Sequence, residues 1–296
     1  AGSHRPIMVE EVLAVLAPQP GECAIDGTLG YGGHAEELLR RLQPGGYLLG
    51  LDTDPLELPK TEARLRGLGF GPETFQACRS NFAGFPQALA RSGRDGADVI
   101  LADLGVSSMQ LDDPARGFSF KTAGPLDLRM NPARGQAASG LLLNLKAAAL
   151  EEMLRENADE PHAQMLAPLL AGKIFATTTA LALAVRAALP KVKVEEREVS
   201  VRRVFQALRI AVNDEFAALE TFLRVLPAGL KPGGRVAILT FHSGEDRRVK
   251  KAFAAGLRDG FYRAIAEEVI RPSAAERNAN PRSVSAKLRW ARRSNE

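Results

Sequence analysis

Over the first hundred residues, short apolar runs alternate with segments whose apolar positions recur at helical spacing. Met8 to Leu16 has that spacing and stops before Pro18-Gln-Pro20-Gly21. Cys23-Ala24-Ile25 then reads as a strand, and Ala35 to Arg40 as a helix beyond a glycine-rich turn. Pro44-Gly45-Gly46 punctuates the chain before Tyr47 to Leu51, a second strand ending at Asp52, and Asp54-Pro55 opens another helix. A third strand is expected around Thr74 to Ala77 and a fourth over Ala97 to Ala102, ending at Asp103-Leu-Gly105. Strands this uniformly apolar, separated by helices, predict a parallel sheet covered on both faces: the doubly wound α/β architecture.

The rhythm stops between Met109 and about Ile210. Turn-rich sequence there (Asp112-Asp113-Pro114, Gly117, Gly124-Pro125) gives way to helical stretches over Leu145 to Arg155, Pro161 to Leu170 and Thr178 to Leu189. Alternation resumes with a helix over Val201 to Arg224, a turn over Leu230 to Gly234 and a buried strand over Arg235 to Phe241, followed by His242-Ser243-Gly244-Glu245-Asp246. The organisation expected is a discontinuous α/β domain over 1–111 and 207–296, interrupted by a helical insertion over 112–206. Ala1-Gly2-Ser3 has the look of a tag remnant and is left out of fold reasoning.

The candidate chemistry gathers in the first turn, Asp26-Gly-Thr-Leu-Gly30-Tyr-Gly32-Gly33-His34. Glycine keeps no side chain between the backbone and a ligand and tolerates positive φ, and a helix N-terminus follows at once. Gly30-x-Gly32-x-x-Ala35 fits a dinucleotide fingerprint with alanine in third place, so the turn alone does not separate NAD from other adenosine cofactors. Asp52, ending the second strand roughly 20 residues past the turn, is placed to accept hydrogen bonds from two ribose hydroxyls. Asn81-Phe82 after the third strand offers a ring to an adenine. Asp103 ends the fourth strand, and in such sheets ligands lie beyond the carboxyl ends of the strands, so Asp52 and Asp103 should face one crevice.

Composition narrows the class further. The 296 residues are 45% hydrophobic, enough for a packed core. With only Cys23 and Cys78, and no apolar run long enough to cross a membrane, a reduced cytoplasmic setting is the expectation. The excess of 39 Lys and Arg over 35 Asp and Glu is small, but residues 271–296 hold seven basic side chains against two acidic ones, which suits either a solvated tail or a phosphate-binding face. Four histidines (His4, His34, His162, His242) and two distant cysteines make no metal-ligand spacing, so no metal is expected. The absence of a Gly-x-Ser-x-Gly elbow and of a Walker loop argues against a hydrolase or NTPase.

Several longer blocks carry a resemblance. His4-Arg-Pro-Ile-Met8, the Asp26 to His34 turn, Asp52-Thr-Asp-Pro55, Asp103-Leu-Gly-Val-Ser-Ser-Met-Gln-Leu-Asp-Asp113, Arg116-Gly-Phe-Ser-Phe120, Gly124-Pro-Leu-Asp-Leu-Arg-Met130, Phe205-Gln-Ala-Leu-Arg-Ile210, Phe241-His-Ser243, Asn280-Pro-Arg282 and Ser285-Ala-Lys-Leu-Arg289 resemble, in order and over nearly the whole chain, the bacterial 16S rRNA cytosine-N4 methyltransferases of the RsmH/MraW family. The resemblance implies a class I S-adenosylmethionine-dependent (SAM-dependent) methyltransferase fold with a helical insertion, and methylation of N4 of a cytidine, conventionally position 1402, in the decoding centre of the small ribosomal subunit. It implies cofactor contacts from Gly32, Gly33, His34, Asp52, Phe82, Asp103 and Gln110, to which the turn itself adds Asp26 and Gly30. The expected partner is 16S rRNA or the small subunit, with no membrane, and a homodimer is left open.

A sulfonium methyl is already activated, so the protein's task is in-line positioning. Cytosine's amine is a poor nucleophile, its lone pair being conjugated into the ring, and an acceptor for its N–H would help. Asp103, or a backbone carbonyl in Leu104 to Val106, occupies the place of the Asp-Pro-Pro-Tyr motif of amino methyltransferases, although the prolines and tyrosine are missing. Phe118, Phe120 and Phe241 are candidates to stack on an extruded base. Methylation at carbon 5 would need a cysteine beyond the fourth or fifth strand, where neither cysteine stands. The chain departs from the family pattern at Asn157-Ala-Asp-Glu160 (usually Tyr-Gly-Glu-Glu), Val199-Ser-Val-Arg-Arg203 (usually His-Pro-Ala-Thr-Arg) and Gly244 (usually Leu). The alternatives are an NAD-dependent oxidoreductase, which would need a proton-transfer residue among Tyr31, Tyr47 and Tyr262 or a histidine, and a non-catalytic RNA-binding factor on a degenerate methyltransferase fold.

Overall fold

The computed structural model describes residues 6–295, so His4 and Arg5 of the first resemblance block lie outside the described residues. The chain divides into two compact units, one made of residues up to Gly105 and from Ala217 onward, the other of Val106–Phe216. Residues 106–111 and 207–216, placed with the α/β domain from sequence, thus group with the helical unit.

In chain order the first unit contains α1 (Val9–Leu16), β1 (Cys23–Asp26), α2 (Gly33–Leu42), β2 (Tyr47–Asp52), α3 (Leu58–Gly67), β3 (Phe75–Arg79), α4 (Phe85–Arg91) and β4 (Ala97–Asp103). The helical unit contributes α5 (Ser108–Asp112), α6 (Ala138–Asn144), α7 (Ala147–Ala158), α8 (Ala163–Leu170), α9 (Thr178–Ala188) and α10 (Val194–Val212). After α11 (Glu215–Gly229), which crosses the division, come β5 (Leu230–Thr240), α12 (Ser243–Arg258), β6 (Tyr262–Ile265), α13 (Ala274–Ala279) and β7 (Lys287–Arg293).

The strands form one sheet in the order β3-β2-β1-β4-β5-β7-β6. β1 to β5 are parallel, and β7 runs antiparallel to both β5 and β6. Successive buried residues point to opposite faces. Ala24, Leu48, Val99, Leu101, Ala237 and Leu239 pack with α1, α2 and α3 on one face, while Ile25, Leu49, Leu51, Ile100, Val236 and Ile238 pack with α4, α11 and α12 on the other. Both faces are buried, as a parallel sheet requires, which is why these strands read as unbroken apolar runs.

Two expectations are corrected. The helix expected over Val201 to Arg224 is two helices: α10 ends at Val212 and Asp214 is left-handed at φ 49. Asn213 fixes the break by donating to Leu128 O and Arg209 O and accepting from Met130 N, so one bond is local, of the kind asparagine favours at helix ends, and two reach a distant segment. The basic carboxyl-terminal stretch is not a solvated tail throughout, since it supplies β7, with Leu288 and Ala291 fully buried. Arg289 and Lys287 there pair with Asp246 of α12 at 2.7 and 3.2 Å; Arg271, Arg277 and Arg282 stay exposed.

The helical unit has its own core of Leu142, Leu150, Leu154, Leu166, Leu181, Val185, Val204, Phe205 and Leu208. Two of the departures from the family pattern find partners within this unit. Ser200 Oγ donates to Glu160 Oε1 at 2.9 Å with both residues buried, and Asn157 exchanges hydrogen bonds with Ala207 O and Gln206 Nε2. A proline at 200 would have no donor for that carboxylate, so Ser200 gives the buried Glu160 a partner that the usual residue lacks. Phe118 is buried in the same core and Phe120 packs on Phe205 at 5.0 Å, so both rings serve packing within this unit.

Candidate active site

Asp52, Asp26 and Asp103 end β2, β1 and β4, three neighbouring strands. The strand order reverses between β1 and β4, and the carboxyl edge at such a reversal is where ligands bind in open α/β sheets. Each acid has the strand parity of Ala24, Leu48 and Leu101, so all three lie toward the face carrying α2.

The turn between β1 and α2 ties these acids together. Thr28 Oγ1 accepts the Asp103 backbone N–H at 2.7 Å, and Thr28 in turn donates its backbone N–H to Asp26 Oδ1 at 3.1 Å. Asp52 Oδ2 accepts from Gly30 N and its Oδ1 from Asp54 N, at 2.8 and 2.9 Å. Thr61 Oγ1 donates to Gly30 O, and Arg64 of the same α3 donates to Tyr31 O while lying over the Tyr31 ring. Thr28, Thr61 and Arg64 were not singled out from sequence. A threonine two residues after a strand-end acid was the available signal for Thr28, whereas nothing local marks a pair on α3.

Gly30 and Gly32 adopt φ 50 and 81, which glycine alone does at little cost. The space freed at Gly32 is taken by Thr61, Arg64 and Leu65, and that at Gly33 by the Pro6 ring, so these two glycines serve turn geometry and helix packing. A hollow of about 330 Å³ bordered by Gly33 opens toward α1. Its acids are already paired, Glu36 with Arg64 and Arg40, Glu37 with Arg41, so it offers little free charge. Phe82 follows β3 with its ring edge-on to Phe222 at 5.2 Å, in the cluster on the opposite face from α2. Gln110 belongs to the helical unit, where it completes a capping box with Ser107.

Burial sets the electrostatics. It pushes Asp103 up to about 8, with Asp26 and Glu245 adding to the shift, and Asp26 up to about 7 against the opposing Thr28 bond. Asp52 is also raised by burial, and the N–H groups of Asp54 and Gly30 hold that rise back. His34 is pushed the other way, to about 4, so its ring is neutral at physiological pH. Glu245, also not singled out from sequence, is buried in the first turn of α12 with Oε2 accepting from Phe241 N. The pattern is an edge that readily holds a proton among groups that cannot all ionise.

The competing chemistries lose their residues here. Cys23 is buried at the start of β1, the strand end away from the carboxyl edge, and burial pushes its thiol up to about 11, so it is no thiolate nucleophile. Tyr47 bonds Gln76, Tyr262 is buried against Phe253, and Tyr31 sits under Arg64, which leaves a hydride-transfer site without its tyrosine. The antiparallel β7 between β5 and β6 also separates this sheet from the dinucleotide-binding order 3-2-1-4-5-6.

Sheet order, glycine turn and strand-end acids define a class I SAM-dependent methyltransferase. The chain matches the MraW methylase family over residues 1–294. It belongs to that family. Its relatives include ribosomal RNA small subunit methyltransferase H 2 of Alkaliphilus metalliredigens, 50% identical over 98% of this chain and 85% of that one. Methyltransferase H 1 of Lachnoclostridium phytofermentans is 47% identical over 98% and 81%, and methyltransferase H of a Synechococcus species 44% over 99% and 92%.

Proposed function

We propose that the protein methylates N4 of a cytidine in 16S rRNA, at position 1402 of the small-subunit decoding centre, in the cytoplasm. The observation that carries this reading is the row of three acids on adjacent strand ends, one of which holds a proton near neutrality. Family membership supplies the substrate class, since the relatives are ribosomal RNA small subunit methyltransferases.

The residues fit the cofactor. Asp52 takes the Gly30 and Asp54 N–H groups on its two oxygens, with the Thr53 N–H also stabilising the carboxylate, and it keeps lone-pair capacity for a ribose hydroxyl. Asp26, Gly30, Gly32 and Gly33 set the turn that presents Asp52 and Thr28, with His34 and Asp103 beside it. Phe82 and Gln110 join the cofactor set through the resemblance. When bound, SAM supplies a methyl group already activated by its sulfonium. Asp103 accepts the N–H of the cytosine amine, which localises the nitrogen lone pair and gives the displaced proton a destination. The Thr28 bond fixes the backbone that carries this carboxyl.

The test is transfer of labelled methyl to small ribosomal subunits by the wild type and by Asp103→Asn. We expect the wild type to label 16S rRNA and the variant to bind S-adenosylhomocysteine while losing about 100-fold or more in rate, within the range general-base contributions span. An Asp103→Asn enzyme with undiminished rate removes Asp103 from the acceptor role, and a wild type that labels no rRNA removes the reaction.

A further inference from the structure

We propose that His34 is a positioning residue for Asp103: its imidazole is locked with the proton on Nδ1, so that Nε2 turns a fixed lone pair on the Asp103 carboxyl and makes it a stronger proton acceptor. This rests on the reading of Asp103 as the acceptor of the amine proton.

The geometry starts at the turn. Gly32 caps α2 and places His34 as the second residue of the helix, 7% exposed and at the same edge as Asp103. One ring nitrogen makes a backbone hydrogen bond with Ile7 that favours the ring's protonated form, so the ring is its donor. Nε2 is buried and has no hydrogen-bond partner, which makes Nδ1 the bonded nitrogen. Nε2 lies 3.6 Å from Asp103 Oδ2, beyond hydrogen-bond length but aimed at the carboxyl. A partner on one imidazole nitrogen decides what the other can do.

Two charge states of Asp103 then differ in what they find. The ionised carboxylate meets a neutral lone pair and gains nothing from it. The protonated carboxyl can close the gap and donate Oδ2–H to Nε2, and a hydrogen bond to the neutral form raises basicity. Burial keeps His34 itself uncharged, so the pair is not an ion pair. The other groups facing Asp103, Asp26 from β1 and Glu245 from α12, are acids that push the same way. Thr28 takes the Asp103 backbone N–H and leaves its carboxyl alone. The proton leaving the amine forms an O–H bond on Asp103, cancels its charge and returns to water after the product departs. His34 gains and loses none.

The experiment is the pH profile of single-turnover methyl transfer to small subunits for the wild type and His34→Asn, with S-adenosylhomocysteine affinity measured on both. The amide can donate to the carboxylate, so the rising limb should move at least one pH unit lower in the variant. The plateau should fall about threefold per unit for a Brønsted slope near one half, both being read at saturating cofactor so that a change in affinity does not enter. An unmoved limb with affinity weakened tenfold or more would show that His34 acts on the cofactor alone and overturn the proposal. Imidazole ¹⁵N spectra of the wild type give a readout independent of turnover and of the variant's folding. The Nδ1–H tautomer, with the Nε2 resonance titrating as Asp103 does, is expected; an Nε2–H tautomer overturns the proposal. A wild type that never methylates a cytidine amine, yet shows the Nδ1–H tautomer, would sink the assigned reaction and leave the pairing standing.

Discussion

Replacing Asp52 by asparagine probes the cofactor grip with minimal change of shape. The carboxylate accepts Gly30 N at Oδ2 and Asp54 N at Oδ1, at 2.8 and 2.9 Å. An amide keeps one oxygen, so one of these N–H groups must face an NH2, whichever way the side chain turns. A buried donor left unmet costs about 1–3 kcal/mol, and the turn it anchors loosens accordingly. The same swap removes an acceptor from one ribose hydroxyl, a charge-assisted bond of about 1.5–3 kcal/mol. A loss of that size raises the dissociation constant for S-adenosylhomocysteine by roughly 10-fold to 150-fold. Isothermal titration calorimetry, with a urea melt of the unliganded proteins alongside, measures both consequences. A variant binding within threefold of the wild type, at unaltered stability, would refute the assignment of Asp52 to the ribose and the claim that it holds the turn.

Other consequences are as direct. Asp26 and Asp103 have folded pKa values of about 7 and about 8, against 3.8 for the free side chain, so the folded protein binds their protons more tightly than the unfolded chain. Their contribution therefore falls as pH rises from about 4 to about 8, and in urea melts Asp26→Asn should gain on the wild type from about pH 4 to about pH 7; a constant gap would contradict it. Because the ionised Asp103 is the acceptor, the methyl-transfer rate should climb between pH 6.5 and 8.5, and a flat profile under chemistry-limited conditions would count against that role. Asp246→Ala strands the 7% exposed Arg289 without its 2.7 Å partner, which should cost about 3 kcal/mol or more by chemical denaturation. Gly32→Ala places a methyl 2.9 Å from Thr61 Cγ2 at φ 81, and should lose about 1–2 kcal/mol from backbone conformation before the clash is counted; an unchanged melt would show that the turn relaxes.

The elements around the site could be read from local pattern because a doubly covered sheet writes its strands as apolar runs. Asp26, Asp52 and Asp103 stood out because strand ends in such a sheet share one edge. What escaped was set by partners distant in sequence. β7 reads as a basic segment, since Lys287 and the buried Arg289 answer an acid on α12, while Leu288 and Ala291 supply its apolar contacts. Thr61 and Arg64 gain their roles from a turn some thirty residues earlier. The break after α10 was visible as Asn213-Asp214, yet the helical spacing on both sides masks it until the bonds to Leu128 and Met130 are seen. Ser200 and Asn157, two departures from the family pattern, bond within the helical unit to Glu160 and Ala207, partners that lie 40 and 50 residues away in sequence.

The central claim is that this edge delivers a methyl group to a cytidine amine of 16S rRNA. Nucleoside mass spectrometry of 16S rRNA from cells lacking the protein, compared with the parent strain, tests it most directly. The account predicts that one methyl group disappears from N4 of the decoding-centre cytidine and returns when the wild-type gene, but not the Asp103→Asn form, is supplied. An unchanged methylation pattern, or loss of a methyl from carbon 5 of a cytidine instead, would contradict it.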